Sequence, residues 1–235
     1  MNMYELIAFD LDGTLTEHRT QISEINYELL ERIKEKYKIV IVGAGTCDRI
    51  IKQLREFPID VIGNYGMQTS IIVNKERINK KACIEIDKAD IKERIKIIRS
   101  STGYVDIVGE SIEFHESGVI TFPLLGTKAN IKDKVAFDPQ RKKRKKIYAF
   151  VKDYFPEYTV VIGGSSSFDI MPKEYDKYKA LVKYASDLNI STDKILYVGD
   201  DFSEGGNDEP IYKSEIECIE IESYQILKEK LHFLL

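Results

Sequence analysis

The chain has 235 residues, of which 43% are hydrophobic and 31% charged. That length exceeds the usual size of a single core, so we expect one large domain or two modest ones. A net charge of −4 gives no global argument for nucleic acid or membrane binding. No apolar run approaches the length of a membrane span, and the first residues lack the basic region and apolar core of a signal peptide. Three scattered cysteines form no zinc or redox pattern, which favours a reducing compartment and predicts a cytoplasmic location.

A short apolar run near the start of the chain ends in two aspartates, Asp10 and Asp12, followed at once by Gly13-Thr14. Such a run predicts a buried strand, and ligands of open α/β sheets bind beyond the carboxyl ends of the strands. A bare Asp-Gly would merely end a strand. Two carboxylates at a buried strand end, however, repel each other and lose solvation unless a cation or a substrate compensates them.

Strands and helices then alternate in the order of a doubly wound parallel sheet. The predicted elements are a helix over 22–36, a strand over 38–42, a helix around 50–54, a strand over 60–63 and a hairpin through 73. Gly43 and Gly45 suggest a dinucleotide fold, but Asp48 stands where its fingerprint needs a third glycine. Thr46 either caps the following helix or presents its hydroxyl to a phosphate.

From about 75 to 81 the chain is polar and basic, which predicts a crossing to another domain. The block from about 77 to 172 is α+β in pattern, so we predict an insertion into a core formed by 1–76 and 173–235. Its predicted elements are strands over 84–86, 104–108, 111–114, 119–125, 158–162 and 167–171, with helices around 91–98 and over 138–155. Beyond it, a helix over 178–188, strands over 194–198 and 218–221, and a closing helix complete the core.

The inserted block contains six consecutive cations, Arg141 to Lys146. A nuclear signal or a nucleic-acid patch is one interpretation. Six consecutive helical residues point all round a helix, however, and no aromatic-rich motif accompanies them. We favour a solvated helix face and expect no nucleic-acid partner.

The predicted ends of the core strands gather residues suited to phosphoryl transfer. Asp10 is the candidate nucleophile, because a carboxylate that attacks phosphorus divides one hard step into two. The metal candidates are Asp10, Asp200 and Asp208 with the carbonyl of Asp12, since Mg²⁺ prefers hard oxygen ligands. Thr46 and Lys177 would hold the equatorial oxygens of the transferring group. Asp12 would protonate the leaving oxygen, which predicts a pKa raised well above the ordinary value of about 3.9.

These motifs resemble the haloacid dehalogenase superfamily with a type IIB α+β cap and, within it, the phosphomannomutases of the eukaryotic type. The resemblance extends over nearly the whole chain, from Asp10-Leu11-Asp12-Gly13-Thr14 to Gly205-Gly206-Asn207-Asp208. It implies Mg²⁺ as cofactor, a phosphosugar substrate and a homodimer through the cap. The substrate-binding residues that it implies are Arg19, Asn64, Ser167 and Asp169.

The cap departs from that family where arginines grip the phosphate that is not transferred. Thr127 and Lys134 stand at two of these positions, His115 lies nearest the third, and Lys128 is a candidate substitute. Lysine cannot reproduce the bidentate grip of arginine. We therefore expect a sugar-phosphate phosphatase, with phosphomannomutase activity as the alternative and a non-catalytic binding protein on the same scaffold as a remoter one.

Overall fold

The computed structural model describes residues 3–235, which form eleven β-strands and eight α-helices. The strands are β1 Leu6–Phe9, β2 Lys38–Val42, β3 Asp60–Gly63, β4 Gln68–Val73, β5 Glu76–Lys81, β6 Glu113–Phe114, β7 Ile120–Pro123, β8 Tyr158–Gly163, β9 Ser167–Pro172, β10 Ile195–Gly199 and β11 Glu217–Glu220. The helices are α1 Glu24–Lys34, α2 Cys47–Gln53, α3 Lys88–Thr102, α4 Ile131–Phe137, α5 Lys142–Asp153, α6 Lys177–Asp187, α7 Glu209–Tyr212 and α8 Leu227–Lys230. Among the described residues, no helix is both long enough and apolar enough to cross a bilayer.

The described chain divides into two compact units, each with its own sheet. The first unit contains residues 3–81, 176–203 and 208–235, and the second contains residues 82–175 and 204–207. The sheet of the first unit has the strand order β11-β10-β1-β2-β3-β4-β5. Its first five strands run parallel, and β4 and β5 continue it as an antiparallel hairpin. This confirms the predicted α/β class with a mainly parallel sheet.

The parallel strands are apolar on both faces because helices cover both sides of the sheet. Successive side chains of a strand point to opposite faces. In β1, Ile7 and Phe9 belong to a core shared with α1, α2 and α8. Leu6 and Ala8 belong to the opposite core, shared with α6 and α7. The continuous apolar runs of the sequence therefore place β1 in the middle of the unit.

The second unit is a four-stranded antiparallel sheet, ordered β6-β7-β9-β8, with α3 and α5 on one face. Phe122 and Phe168 pair across β7 and β9 and point toward the helices. Thr121 and Asp169 are also paired, and their side chains lie on the other face. One covered face and one polar face are typical of an antiparallel sheet.

Three predictions for the region between 75 and 137 differ from the structure, and one helix there was not predicted. The expected crossing at 75–81 contains β5, an edge strand whose side chains are mostly exposed and carry no apolar alternation. The predicted strands over 84–86 and 104–108 are irregular. The helix α4 was missed because none of its residues is buried, so no amphipathic pattern marks it.

Candidate active site

The carboxyl ends of β1 and β10 bring Asp10 and Asp200 to the same edge of the sheet. The two strands are parallel neighbours, with Phe9 opposite Val198. The main-chain N–H of Asp10 donates to the carbonyl of Val198 at 2.9 Å. Asp10 and Asp200 therefore follow adjacent strands at the same edge of the sheet, as the sequence predicted for residues at strand ends.

Three carboxylates, those of Asp10, Asp200 and Asp208, each offer an oxygen within 4.8 Å of the others. Burial raises the pKa of Asp10 well above its ordinary value, and the charges of Asp208 and Asp200 add to this while Lys177 opposes it. Burial, followed by the charge of Asp208, raises the pKa of Asp200 to about 6. Crowded, desolvated carboxylates of this kind fit a hard divalent cation, so the cluster can hold a metal ion.

Gly13 and Gly199 have no side chain, and the carboxylates of Asp200 and Asp208 occupy the space that a Cβ at these positions would need. A Cβ at Gly13, whose φ is +99°, would lie 2.6 Å from Oδ2 of Asp200. A Cβ at Gly199 would lie 2.6 Å from Oδ2 of Asp208. The hydroxyl of Thr14 donates to Oδ1 of Asp200 at 3.2 Å. The loops after β1 and β10 thus hold the carboxylates by close backbone approach, which only glycine allows.

Lys177, the first residue of α6, is fully buried and joins two of the three carboxylates. Its Nζ donates to Oδ1 of Asp10 and to Oδ1 of Asp208, each at 2.6 Å. Although burial alone would lower the pKa of Lys177, the charges of Asp10 and Asp208 outweigh it and raise that pKa. The hydroxyl of Tyr197 also donates to Oδ1 of Asp208. The sequence did not indicate Tyr197, because an aromatic residue within an apolar strand has the appearance of a core residue.

Asp12 has different surroundings from Asp10, and they overturn one prediction. Its Oδ1 accepts from the main-chain N–H of Arg19 at 2.7 Å and from Nε2 of Gln53 at 3.0 Å. Its Oδ2 accepts from Nη1 of Arg49 at 2.8 Å. Burial alone would raise the pKa of Asp12, but the charge of Arg49 and these hydrogen bonds bring it below the ordinary value. The predicted raised pKa is therefore wrong for this arrangement, since three donors stabilise the ionised form.

Thr46 serves as the N-cap of α2, since its hydroxyl accepts from the main-chain N–H of Arg49 at 3.3 Å. It also borders a groove of about 440 Å³ in the first unit. The groove is lined by Arg19, Thr20, Gln21, Thr46, Asp48, Arg49, Lys52 and Gln53. Thr46 thus caps α2 and at the same time borders a groove that a ligand can enter.

Asn64 lies against the loop that carries Thr46. Its backbone is left-handed, with a φ of +46°, and its main-chain N–H donates to the carbonyl of Gly45 at 2.8 Å. A Cβ at Gly63 would lie 2.7 Å from both the nitrogen of Cys47 and the oxygen of Gly45. The loops after β2 and β3 are therefore adjacent, and the first unit brings Asn64 beside the start of α2.

The predicted substrate residues of the second unit fall into two places. Ser167 and Asp169 belong to β9, where Oδ1 of Asp169 accepts from the hydroxyl of Thr121 at 3.0 Å. Thr121 Oγ1 also lies 3.1 Å from Nε2 of His115. Sequence reasoning missed Thr121, which is recognisable only from the strand register.

The second place is the loop before α4. Nζ of Lys134 donates to the carbonyl of Thr127 at 2.9 Å, and the hydroxyl of Thr127 accepts from the main-chain N–H of Glu110 at 2.9 Å. Lys128, next to Thr127, is exposed. Lys128 and Lys134 therefore lie at the same loop, and the Lys134 ammonium already donates a hydrogen bond to the main chain.

The basic run is not entirely a solvated helix face, contrary to the prediction. Arg144 is 1% exposed, and its Nε lies 3.1 Å from Oδ2 of Asp138. Its Nη1 donates to the carbonyls of Gly163 and Gly164 at 2.8 and 2.9 Å. The four lysines of the run, Lys142, Lys143, Lys145 and Lys146, are exposed as predicted. Arg144 instead ties α5 to the turn between β8 and β9.

Comparison with known proteins agrees with this geometry. A family model described as haloacid dehalogenase-like hydrolase matches residues 7–210. A phosphomannomutase of Spinacia oleracea is 30% identical over 225 residues, covering 89% of this chain and 87% of the relative. The phosphomannomutase of Saccharomyces cerevisiae is 28% identical over 222 residues, covering 89% and 85%.

Solved structures show the same fold at low sequence identity. The IMP-bound, N-terminally truncated IMP-nucleotidase of Plasmodium falciparum superposes with a TM-score of 0.68 and 14% identity, covering 98% of this chain and 68% of that one. The Thermoplasma acidophilum protein 0175 superposes with a TM-score of 0.59 and 18% identity, covering 97% and 90%. At these identities the likeness concerns the fold alone.

Proposed function

Because the chain belongs to the haloacid dehalogenase-like hydrolase family, we propose that it is a Mg²⁺-dependent phosphotransferase that acts on a phosphosugar through an aspartyl phosphate on Asp10. The observation that carries the proposal is the buried cluster in which Lys177 bridges Asp10 and Asp208 beside Asp200. A purely structural core has no need of three crowded carboxylates, because each charged group costs desolvation. The relatives named phosphomannomutase support the phosphosugar class.

In the proposed reaction a carboxylate oxygen of Asp10 forms a bond to phosphorus while the bond to the sugar oxygen breaks. The ammonium of Lys177 holds the Asp10 carboxylate in place through its 2.6 Å contact and counters the negative charge of the incoming phosphate. Thr46 and Arg19, which line the groove, bind the phosphoryl oxygens together with Asn64, which lies beside the start of α2. The negative charge of the bound phosphate counteracts the positive charge of Arg49 and favours the protonated form of Asp12, which gives its proton to the departing sugar oxygen. Asp12 then takes a proton from the water that attacks phosphorus, and the bond from phosphorus to Asp10 breaks, which releases phosphate and regenerates the enzyme.

Mg²⁺ fits the donor set, because Asp10, Asp200 and Asp208 offer only hard oxygens and the carbonyl of Asp12 can add a neutral one. When bound there, the ion would neutralise negative charge on the transferring group and orient it. Burial and mutual repulsion disfavour the ionised forms of Asp10 and Asp200 without a cation, which supports the assignment.

For the acceptor we propose water, which makes the enzyme a sugar-phosphate phosphatase. We assign Ser167 and Asp169 to the sugar, and Lys128 and Lys134 to a second anion where the substrate carries one. The Lys134 ammonium already donates to the carbonyl of Thr127. These lysines would therefore bind a second phosphate less firmly than a set of arginines would. A mutase has to hold a bisphosphate in two orientations, whereas a phosphatase needs one firm phosphate site.

The second candidate is a phosphomannomutase, favoured by relatives of that name over 89% of the chain. The two outcomes separate in one incubation with mannose 1-phosphate, Mg²⁺ and a hexose bisphosphate. Free phosphate as the main product supports the phosphatase, and mannose 6-phosphate as the main product supports the mutase. A wild-type protein that forms neither product would favour the non-catalytic scaffold. An Asp10→Asn variant as active as the wild type would show that the reaction does not pass through an aspartyl phosphate on Asp10.

A further inference from the structure

The clamp around Asp12 consists of Arg49 and Gln53, two polar residues of α2, with the main-chain N–H of Arg19. Gln53 and the main-chain N–H of Arg19 donate hydrogen bonds to Oδ1 of Asp12, while Arg49 donates a hydrogen bond to Oδ2. Because both oxygens are held, the plane of the carboxylate is fixed as well as its position. A single donor would leave the group free to rotate.

Arg49 and Gln53 also make hydrogen bonds to each other and to the surrounding chain, so their positions do not depend on Asp12 alone. Arg49 and Gln53 are one helical turn apart, and Nη1 of Arg49 donates to Oε1 of Gln53 at 2.8 Å. Gln53 is 6% exposed, and its Nε2 also donates to the carbonyl of Thr20 at 3.1 Å. A buried amide with both ends bonded cannot turn over without breaking several contacts, which fixes which of its atoms faces Asp12.

The loop before α2 is shaped to let Arg49 reach back. A Cβ at Gly45 would lie 2.1 Å from Nη2 of Arg49 and 2.4 Å from its Nε. The guanidinium therefore passes directly over Gly45, the residue before Thr46. A side chain at residue 45 would displace the guanidinium, so the glycine at this position keeps the path of Arg49 open.

We propose that Arg49 and Gln53 are positioning residues, which orient the Asp12 carboxylate for its exchange of a proton with the sugar oxygen. The inference rests on the proposed function of Asp12. General acid catalysis contributes about 10²–10⁴-fold and depends on placing the acid within hydrogen-bond reach of the departing oxygen. Neither positioning residue has to touch the substrate for its loss to slow that step.

The test compares two substrates that differ in their need for a proton. A sugar alkoxide is a strong base and has to be protonated as it leaves, whereas the phenolate of p-nitrophenyl phosphate leaves without help. The value of kcat/KM reports the steps through loss of the leaving group. We expect Arg49→Met and Gln53→Met to lower kcat/KM about 10–100-fold on mannose 1-phosphate and less than about threefold on p-nitrophenyl phosphate.

Four further variants make the outcome decisive. Asp12→Asn should show the full selective loss, and adding Arg49→Met to it should cause no further loss, because a positioning residue acts only through the group it positions. Arg49→Lys keeps the charge without the planar fork and should recover part of the activity. Arg32→Met removes an exposed arginine of α1 and should leave both substrates unaffected.

Equal losses on both substrates, or a further selective loss in the Asp12→Asn background, would overturn the positioning role. If Asp12→Asn is selectively impaired and Arg49→Met is not, only this inference fails. If Asp10→Asn is as active as the wild type, the proposed function fails and the positioning role fails with it. Thermal unfolding of each variant, with Gln53→Asn as a replacement where Gln53→Met unfolds, separates loss of fold from loss of orientation.

Discussion

Lys177 is the residue on which the electrostatics of the site depend. It is fully buried and bridges two carboxylates that are 31 residues and 167 residues from it along the chain. Removing one member of a buried ion pair leaves an uncompensated charge, which costs more than the pair contributes. The same lysine that serves the proposed reaction therefore also stabilises the metal-free fold.

We expect Lys177→Met to lower the free energy of unfolding of the metal-free protein by about 3–5 kcal/mol, because Asp10 and Asp208 lose their shared cation. Urea denaturation in the presence of a chelator measures this. Adding Asp208→Asn removes one of the stranded charges and should restore part of the loss. A double variant as unstable as the sum of the single ones would contradict the electrostatic account.

Asp200 gives the site a dependence on pH. Its pKa of about 6 in the folded protein lies above the ordinary value, so the folded metal-free state binds a proton that the unfolded state has released. The resulting stability is fully present below a pH of about 4 and is lost as the pH rises through about 6. Protons and a cation compete for the same oxygens across this range.

We therefore expect the metal-free protein to lose up to about 3 kcal/mol of stability through Asp200 between about pH 4 and pH 7. Mg²⁺ should raise the melting temperature more at about pH 7 than at about pH 5. Thermal unfolding with and without Mg²⁺ at both pH values checks this, with Asp200→Asn as the matched control. A Mg²⁺ effect that is the same at both pH values, or unchanged in Asp200→Asn, would contradict the assignment.

At the scale of elements, the sequence predicted the strands and helices in which buried apolar residues form a continuous run or recur at helical spacing. The parallel strands β1, β2, β3 and β10 are continuous apolar runs, and α1 and α6 show apolar residues at helical spacing. The sequence did not predict β5 and α4, because almost none of their side chains is buried. Their sequences therefore show neither the alternation of a strand nor the apolar spacing of a helix. Residues 84–86 alternate like a strand and residues 104–108 are rich in β-branched and aromatic residues, but neither feature provides a pairing partner.

The same limit applies to the polar residues of α2 and α5. Arg49, Gln53 and Arg144 have the appearance of ordinary surface residues, because polar side chains on helices usually face solvent. Their partners are the distant Asp12 and the carbonyls of Gly163 and Gly164, which no periodicity reveals. The aspartates and Lys177 were predictable because they occur in short motifs at the ends of elements.

Arg144 tests the view that one cation of the basic run is structural. We expect Arg144→Met to lower the free energy of unfolding by about 3–5 kcal/mol, because Asp138 and the two glycine carbonyls lose a buried partner. Lys145→Met, one residue along α5 and exposed, should change it by less than about 0.5 kcal/mol. Urea denaturation measures both. Similar losses in the two variants would show that the run acts as a whole rather than through Arg144.

At the scale of the whole molecule, the chain carries its proposed reaction centre in the first unit. Asp10, Lys177, Asp200 and Asp208 all belong to that unit, although a long stretch of chain separates Asp10 from the others. The proposed substrate residues Ser167, Asp169, Lys128 and Lys134 belong to the second. The fold class and the clustered residues of the first unit could thus be predicted from motifs, whereas these motifs do not predict the acceptor, which is water in our proposal.

The central claim is that Asp10 becomes phosphorylated during turnover. Rapid mixing of the protein with Mg²⁺ and mannose 1-phosphate, followed by acid quenching and mass spectrometry of the intact chain and its peptides, tests it most directly. We predict a transient gain of one phosphoryl group on the peptide that contains Asp10, absent in Asp10→Asn and prolonged in Asp12→Asn. Turnover without any phosphorylated protein, or a phosphoryl group on a different residue, would contradict the account.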